Sequence, residues 1–313
     1  MLRPGELVLV CVSGGPDSVC LLYSLWYLRR LFKIRLAIFH FDHALRAGSA
    51  DDARYVRRLA ARLRVPVTIE TATDTPPKGT SVEAWASGAR GNAANEVRMH
   101  VGAAVVAEGH TLDDQAETVL LNLIRGTGLE GITGIDPQLG ARPWPVTVQP
   151  LIDVTRADVE AFCRGLHLRP RWDPMNDDRR YLRNAIRHEV LPELERVTGR
   201  SARASIVRTA DLLRADRREL EAESFRAFDR IVVEEEGTVR FDATGLARLS
   251  PVLAGRVIRM AVYTTLSDHG AAPWSRDAIE AILDLAKGRP GRKRDLPEGR
   301  RARRTRTHVV VER

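Results

Sequence analysis

Residues 7–22 read LVLVCVSGGPDSVCLL. The apolar run 7–12 has the length of a buried strand, and the Leu/Val/Tyr/Trp face of residues 19–32 has the period of a helix. Between them, two glycines permit backbone torsions that other residues resist, which turns N–H groups inward as an anion nest. The following helix adds its positive N-terminal end, and Ser13 and Ser18 add hydroxyl donors. Asp17 belongs beside a bound anion only when a divalent cation lies between them, as Mg²⁺ does on a polyphosphate. The string is neither the dinucleotide fingerprint GxGxxG nor the Walker loop, since it has no lysine to meet a γ-phosphate. A generic glycine turn with an aspartate at the helix start is the simpler alternative.

Outward from this turn, strands are expected at 35–41, 65–71 and 103–107, and helices at 51–64, 113–124 and, in part, 83–99. This alternation predicts a parallel sheet with helices on both faces and right-handed crossovers. Ligands then bind beyond the carboxyl ends of the strands, where strand order reverses. Two further polar segments occupy such ends: His40-Phe41-Asp42-His43-Ala44-Leu45-Arg46, and Gly109-His110-Thr111-Leu112-Asp113-Asp114-Gln115-Ala116-Glu117-Thr118. Asp113, Asp114 and Glu117 open a helix, where carboxylates complement the dipole. Beside a nucleotide, one of the aspartates would complete a Mg²⁺ site with Asp17. His40, Asp42, His43 and Arg46 form a supporting polar cluster, because they lack the spacing of a closed zinc site. Arg125 precedes Gly126-Thr127-Gly128 and reads as a helix C-cap or, preferably, as a charge clamp on phosphate.

The chain has 313 residues, 44% hydrophobic and 5% aromatic, which suits two domains, divided here at 198/199. Its mean hydropathy is −0.23, and no apolar run approaches the ~20 residues of a membrane span. The start reads as a strand and glycine turn rather than a secretion signal. Three cysteines without a CxxC argue against a disulfide framework, a zinc ribbon or a cysteine-ligated cluster, and a reducing cytoplasm is expected. Residues 287–313 carry 11 Lys and Arg against 3 Asp and Glu, so the net charge of +8 resides wholly there. Such a patch is a footprint for a polyanion, most simply nucleic acid, or else a solvated tail. A connecting helix is expected over 198–228. Ser250-Pro251 and Ser275 open further helices, the latter running 276–287 to Gly288. His308-Val309-Val310-Val311 closes the chain as a hairpin strand, with arginines alternating outward.

SGGPDS resembles the PP-loop of the N-type ATP pyrophosphatases, which cleave ATP between the α- and β-phosphates. The other segments resemble the HxDHxLR, GHxxDDQAET and RGxGLxGL signatures of the tRNA(Ile)-lysidine synthetase family. Gln149-Pro150-Leu151-Ile152 is similar to its RPLL turn and Asp173-Pro174-Met175-Asn176 to its DPSN. Arg183-Asn184-Ala185-Ile186-Arg187-His188 matches its RNxxRH, and the likeness runs in order over 7–193. Ser87, Gly91 and Gln149 depart from the family pattern, standing where arginine, tyrosine and arginine are usual.

The resemblance implies an adenine nucleotide alpha hydrolase-like α/β domain, followed by a mainly helical region with a short basic β element. It implies ATP-dependent ligation of free lysine to C2 of the wobble cytidine of tRNA(Ile) with a CAU anticodon, through an adenylated tRNA. Thiolation or amidation of tRNA, or a non-catalytic RNA-binding role, are the alternatives. ATP would sit on Ser13, Gly14, Gly15, Pro16, Asp17 and Ser18, with His40, Asp42 and His110. Mg²⁺ would lie on Asp17 with Asp113 or Asp114, and catalysis would rest on Asp17, Asp113, Asp114 and Arg125. Lysine and tRNA would meet His43, Arg46, Glu83, Arg90, Glu117, Arg183, Asn184 and Arg187. The ammonium partner is left among Asp42, Glu83, Asp113, Asp114, Glu117 and Glu130. Partners are tRNA and free lysine, with a homodimer left open and no membrane.

Overall fold

A computed structural model describes residues 1–45, 48–77, 82–140, 146–172, 178–235, 237–265 and 274–312, with the side chains of Glu83 and Ala84 set aside. The chain divides into two compact units, Met1–Leu213 and Arg214–Arg313.

The first unit alternates strand and helix: β1 Leu7–Cys11, α1 Pro16–Leu28, β2 Arg35–Asp42, α2 Ser49–Leu63, β3 Val67–Thr71, α3 Val82–Val101, β4 Val105–Ala107 and α4 Leu112–Ile124. Then come α5 Leu129–Ile132, β5 Gln138–Leu139, β6 Val146–Val148, α6 Arg156–Gly165, α7 Leu182–Ala185, a π-helical turn Ile186–Val190, and α8 Leu191–Thr198. The long helix α9, Ala202–Ile231, starts in this unit and passes into the second.

The sheet order is β3-β2-β1-β4-β6-β5, parallel except for β5, which pairs antiparallel with β6. Order reverses between β1 and β4, so the crevice beyond these two strands is the binding position for a sheet of this kind. Central strands buried on both faces explain the unbroken apolar run of β1. Val8 and Val10 pack with α1, α2 and α6 in one layer, while Leu9, Phe39 and Val106 pack with Ala93, Ala94 and Val97 of α3 in the other.

Two local outcomes differ from the sequence reading. The first helix begins at Pro16, three residues early, because proline at N1 already has the helical φ and Gly15 is extended at the N-cap. The third helix is unbroken from Val82 to Val101 although Gly88 and Gly91 each cost about 1 kcal/mol relative to Ala. Its packed alanine and valine face outweighs that loss.

The second unit continues with β7 Val232–Glu235, β8 Thr238–Asp242, α10 Ala243–Arg248, α11 Pro251–Thr265, α12 Arg276–Lys287, β9 Lys293–Asp295, β10 Arg301–Arg304 and β11 His308–Glu312. Its antiparallel sheet, in the order β7-β8-β11-β10-β9, buries Val239, Phe241, Ala302, Val309 and Val311 against α10, α11 and α12. Ser275 caps α12 by accepting from the Ala278 N–H, as its sequence position foretells. Arg301 is exposed, Ala302 buried and Arg303 half-buried, so the basic stretch does alternate. Its charge is partly matched, because Arg301 meets Asp295 and Arg303 meets Glu312.

Candidate active site

At the switch point lies a cavity of about 740 Å³, lined from all three polar strand ends and from α3, α6, α7 and the π-turn. Its floor is the turn 13–18. Gly14 adopts φ +99°, which a side chain would strain. Ser18 Oγ accepts from the Gly14 N–H at 3.2 Å and donates to Gly15 O at 2.9 Å, while Ser13 Oγ accepts from the Gly15 N–H at 3.4 Å. No side chain caps α1, so its first-turn N–H groups need partners from outside the helix. Gly109 closes one side, and a Cβ there would stand 3.2 Å from the backbone of Asp17. Glycine at 109 lets the end of β4 touch the phosphate-type loop.

Asp17 Oδ1 is buried without a hydrogen-bond partner among the described residues. Burial pushes the Asp17 carboxyl up to about 6, helped by the negative charge of Asp114. An orphaned carboxylate oxygen beside a second carboxylate, at the mouth of an anion nest, fits a hard divalent cation. Asp114 is that second carboxylate, and it lines the cavity. Asp113 is not, since its Oδ2 accepts from the Arg156 backbone N–H at 2.8 Å and its Oδ1 meets Arg203 Nε at 2.9 Å.

The acidic start of α4 is therefore an arginine-binding surface. Thr111 caps the helix, exchanging hydrogen bonds with Asp114 in a capping box. Asp114 Oδ1 stands 3.4 Å from Nη2 of each of Arg156, Arg183 and Arg187. Burial alone would raise Asp114, yet Arg183, Arg156 and the Thr111 N–H hold its carboxyl below the usual range. Glu117 is 0% exposed and receives Arg187 Nε at 2.6 Å and Arg183 Nε at 3.0 Å. Burial opposes the charge on Arg187, but the Glu117 hydrogen bond and charge hold its guanidinium above its ordinary value. The π-turn after α7 widens the helix at Ile186–Val190 and carries Arg187 onto the same carboxylate as Arg183.

Three of the four residues expected to cluster at the end of β2, His40, Asp42 and His43, line the cavity. His40 Nδ1 donates to Val12 O at 2.7 Å, leaving its buried Nε2 without a partner among the described residues. Asp42 Oδ1 accepts from the Ala44 N–H at 2.9 Å. His43 packs on Phe41 and Trp85, and burial, together with Arg90, lowers its pKa. Across the cavity, His110 Nδ1 bonds Gln149 Oε1 at 2.9 Å, and Gln149 Nε2 donates to Glu108 at 2.9 Å.

Of the residues singled out from sequence, Ser13, Gly15, Pro16, Asp17, Ser18, His40, Asp42, His43, Arg90, His110, Asp114, Arg183, Asn184 and Arg187 line one cavity. Gly14 lies beneath it against Tyr55 and Arg171. Glu117 holds the arginines from behind. Arg125 is not brought there: it is the exposed C-cap of α4, twelve residues and about 18 Å along the helix from Asp113. Arg46, the Glu83 side chain and 173–176 lie outside the described residues. Among the lining residues that sequence reasoning passed over are Arg156, Glu108 and Trp172. Arg156 had a signal, because an arginine at the first helical position after the Thr155 cap opposes the helix dipole and wants a carboxylate nearby.

Residues 3–194 match the PP-loop domain family and 241–310 the TilS substrate binding domain. A tRNA(Ile)-lysidine synthase of Thermobifida fusca is 35% identical, over 99% of this chain and 93% of its own length. The chain belongs to the tRNA(Ile)-lysidine synthase family. Relatives of that name from Symbiobacterium thermophilum and Dehalococcoides mccartyi are 37% and 33% identical, over 96% and 95% of this chain. The chain spans 64% of the length of each of these two. A U34-tRNA thiolase from Methanococcus maripaludis superposes with a TM-score of 0.58 at 19% identity, over 68% of this chain and 73% of its own, so the two share a fold. The PP-loop domain implies that the chain binds ATP. Among the described residues of this lysidine synthase family member, no helix is long and apolar enough to cross a membrane.

Proposed function

We propose that this chain ligates free lysine to C2 of the wobble cytidine of tRNA(Ile) bearing a CAU anticodon, in the cytoplasm. The observation that carries the reading is the buried Asp17 oxygen, without a partner among the described residues, in one cavity with Arg156, Arg183 and Arg187. The cytidine O2 attacks the α-phosphorus of ATP, the bond to the bridging oxygen breaks, and pyrophosphate leaves. The lysine ε-amine then adds to C2 and loses a proton as the C2–O bond breaks and AMP leaves.

The chain supplies position and charge rather than a nucleophile. Ser13, Ser18 and the open end of α1 receive phosphate oxygens. Arg156, Arg183 and Arg187 line the cavity and give positive charge to the departing groups, and their carboxylate partners fix their planes. Asp17 and Asp114 would hold Mg²⁺, which when bound neutralises charge on the phosphates. The exposed ring of Trp172, also in the lining, suits stacking on an unpaired base. In this reading residues 1–198 are catalytic and 199–313 hold the tRNA.

The test uses the purified chain, ATP·Mg²⁺, radiolabelled lysine and unmodified tRNA(Ile) transcript, with tRNA(Met), which shares the anticodon, as a control. Acid-stable label in tRNA(Ile) alone is expected. AMP release without label would point to another nucleophile, and no tRNA-dependent AMP would overturn the reading. Asp17→Asn is expected to abolish AMP formation and leave tRNA binding intact, as a filter-binding assay would read.

A further inference from the structure

The strand register sets three residues side by side at the sheet's carboxyl edge. Val10 pairs with Ala107 and Ala107 with Val148, so Cys11, Glu108 and Gln149 follow as neighbours. Side-chain alternation puts them on the face where Leu9 and Val106 pack against α3, opposite the face that buries Val10, Ala107 and Val148.

On this face the charges are not cancelled. Glu108 Oε2 accepts from the neutral Gln149 at 2.9 Å, and His110 Nδ1 lies 3.9 Å away. Glu108 has no arginine or lysine partner among the described residues, whereas Asp113, Asp114 and Glu117 are all engaged by guanidiniums. Arg90 of α3 lines the same cavity, and it too has no ion pair among the described residues. Both charges are felt by one thiol. Burial pushes Cys11 up to about 12, with Glu108 raising and Arg90 lowering its titration.

A free amino acid presents one charge of each sign on adjacent groups, which this pair complements. The carboxylate cannot serve the reacting nitrogen, since a contact with Glu108 would stabilise the protonated amine and remove its lone pair. It suits the nitrogen that does not react. Resting on the reading that free lysine is the nucleophile, we propose that Glu108 and Arg90 hold the α-ammonium and α-carboxylate of lysine, leaving its ε-amine for the adenylated base. Gln149 orients Glu108 without neutralising it, and is a positioning residue.

The experiment measures kcat and KM for tRNA(Ile)-dependent AMP release with three amines: lysine, 6-aminohexanoate, which lacks the α-amine, and 1,5-diaminopentane, which lacks the carboxylate. Glu108→Gln should raise KM for lysine and 1,5-diaminopentane on the order of 10–100-fold, and leave 6-aminohexanoate unmoved. Arg90→Gln should raise KM for lysine and 6-aminohexanoate, and leave 1,5-diaminopentane unmoved. Glu108→Asp, which keeps the charge but withdraws it, should show a smaller rise confined to the same two amines and serves if the glutamine variant does not fold. A uniform rise across all three amines, or no rise, would overturn the assignment. If the unaltered chain uses lysine while Glu108→Gln keeps its KM profile, only this inference fails. If the unaltered chain uses none of the amines, the ligation reading fails with it.

Discussion

Asp17 carries the clearest conflict between stability and function. Its carboxyl titrates at about 6 because burial and Asp114 disfavour the charged form. The unfolded chain releases this proton near pH 4, so from about pH 4 to 6 the folded state binds more protons than the unfolded state. Stability from this group is full below about pH 4 and is lost as pH rises through about 6. Asp17→Asn is therefore expected to stabilise the ligand-free protein by about 1–3 kcal/mol at pH 7.5 and by nothing at pH 4. Urea denaturation at the two pH values measures this, and an equal effect at both would show that Asp17 is not strained. Gly109 makes a second case at this scale. Gly109→Ala drives a methyl into rigid backbone of the PP-loop, so ATP affinity should fall more than melting temperature. Nucleotide titration beside a thermal scan separates the two.

At the scale of elements, α4 serves as a charged axle. Its first two turns hold Arg156 from α6, Arg183 from α7, Arg187 from the π-turn and Arg203 from α9. Its Gln115 side chain pins the following loop, donating to Thr133 O at 2.9 Å and accepting from the Ile135 N–H at 2.6 Å. Gly134, with φ +65°, leaves the room that Gln115 needs. Glu117 bears the most of this arrangement, being wholly buried among the guanidiniums of Arg156, Arg183 and Arg187. Removing one partner of a buried pair costs about 3–5 kcal/mol because the other charge is stranded. Glu117→Gln should thus lower folding stability by roughly that amount and reduce kcat for AMP release, while KM for lysine holds. An effect confined to the KM for lysine would instead make Glu117 a lysine ligand.

At the scale of the whole molecule, net charge and chemistry are divided between two units. The excess of +8 falls on residues 287–313, the part of the chain that includes β9, β10 and β11. Not every arginine there is free to meet phosphate, though. Arg300 is 3% exposed, its guanidinium 5.8 Å from the Trp274 ring centroid and 3.0 Å from Glu298. Arg300 is thus held inside its unit, while Arg301 is exposed and Arg303 half-buried. Lys293→Gln with Arg301→Gln and Arg303→Gln should weaken tRNA binding and lower its salt slope by roughly 0.7–0.9 for each phosphate no longer neutralised. Arg300→Ala should cost about 1–3 kcal/mol of stability and leave that slope unchanged. Binding measured across a salt series distinguishes them.

Much was legible in the residues alone. The apolar run into SGGPDS and the alternation after it determined a parallel α/β sheet and its binding edge, because period and turn chemistry act over a few residues. The same local signals located the capped helices and most residues of the cavity. What an aspartate at a helix start is for could not be read there. Asp114 and Glu117 are close in sequence, but the arginines that engage Asp114 from α6, α7 and the π-turn lie 42–73 residues away. Tertiary structure alone turned Asp113 and Glu117 to arginines, set Arg125 at the far end of α4 and, among the described residues, left an Asp17 oxygen without a partner and Glu108 without a cation. A charge acts through space on whatever folding brings beside it, and sequence spacing does not measure that distance.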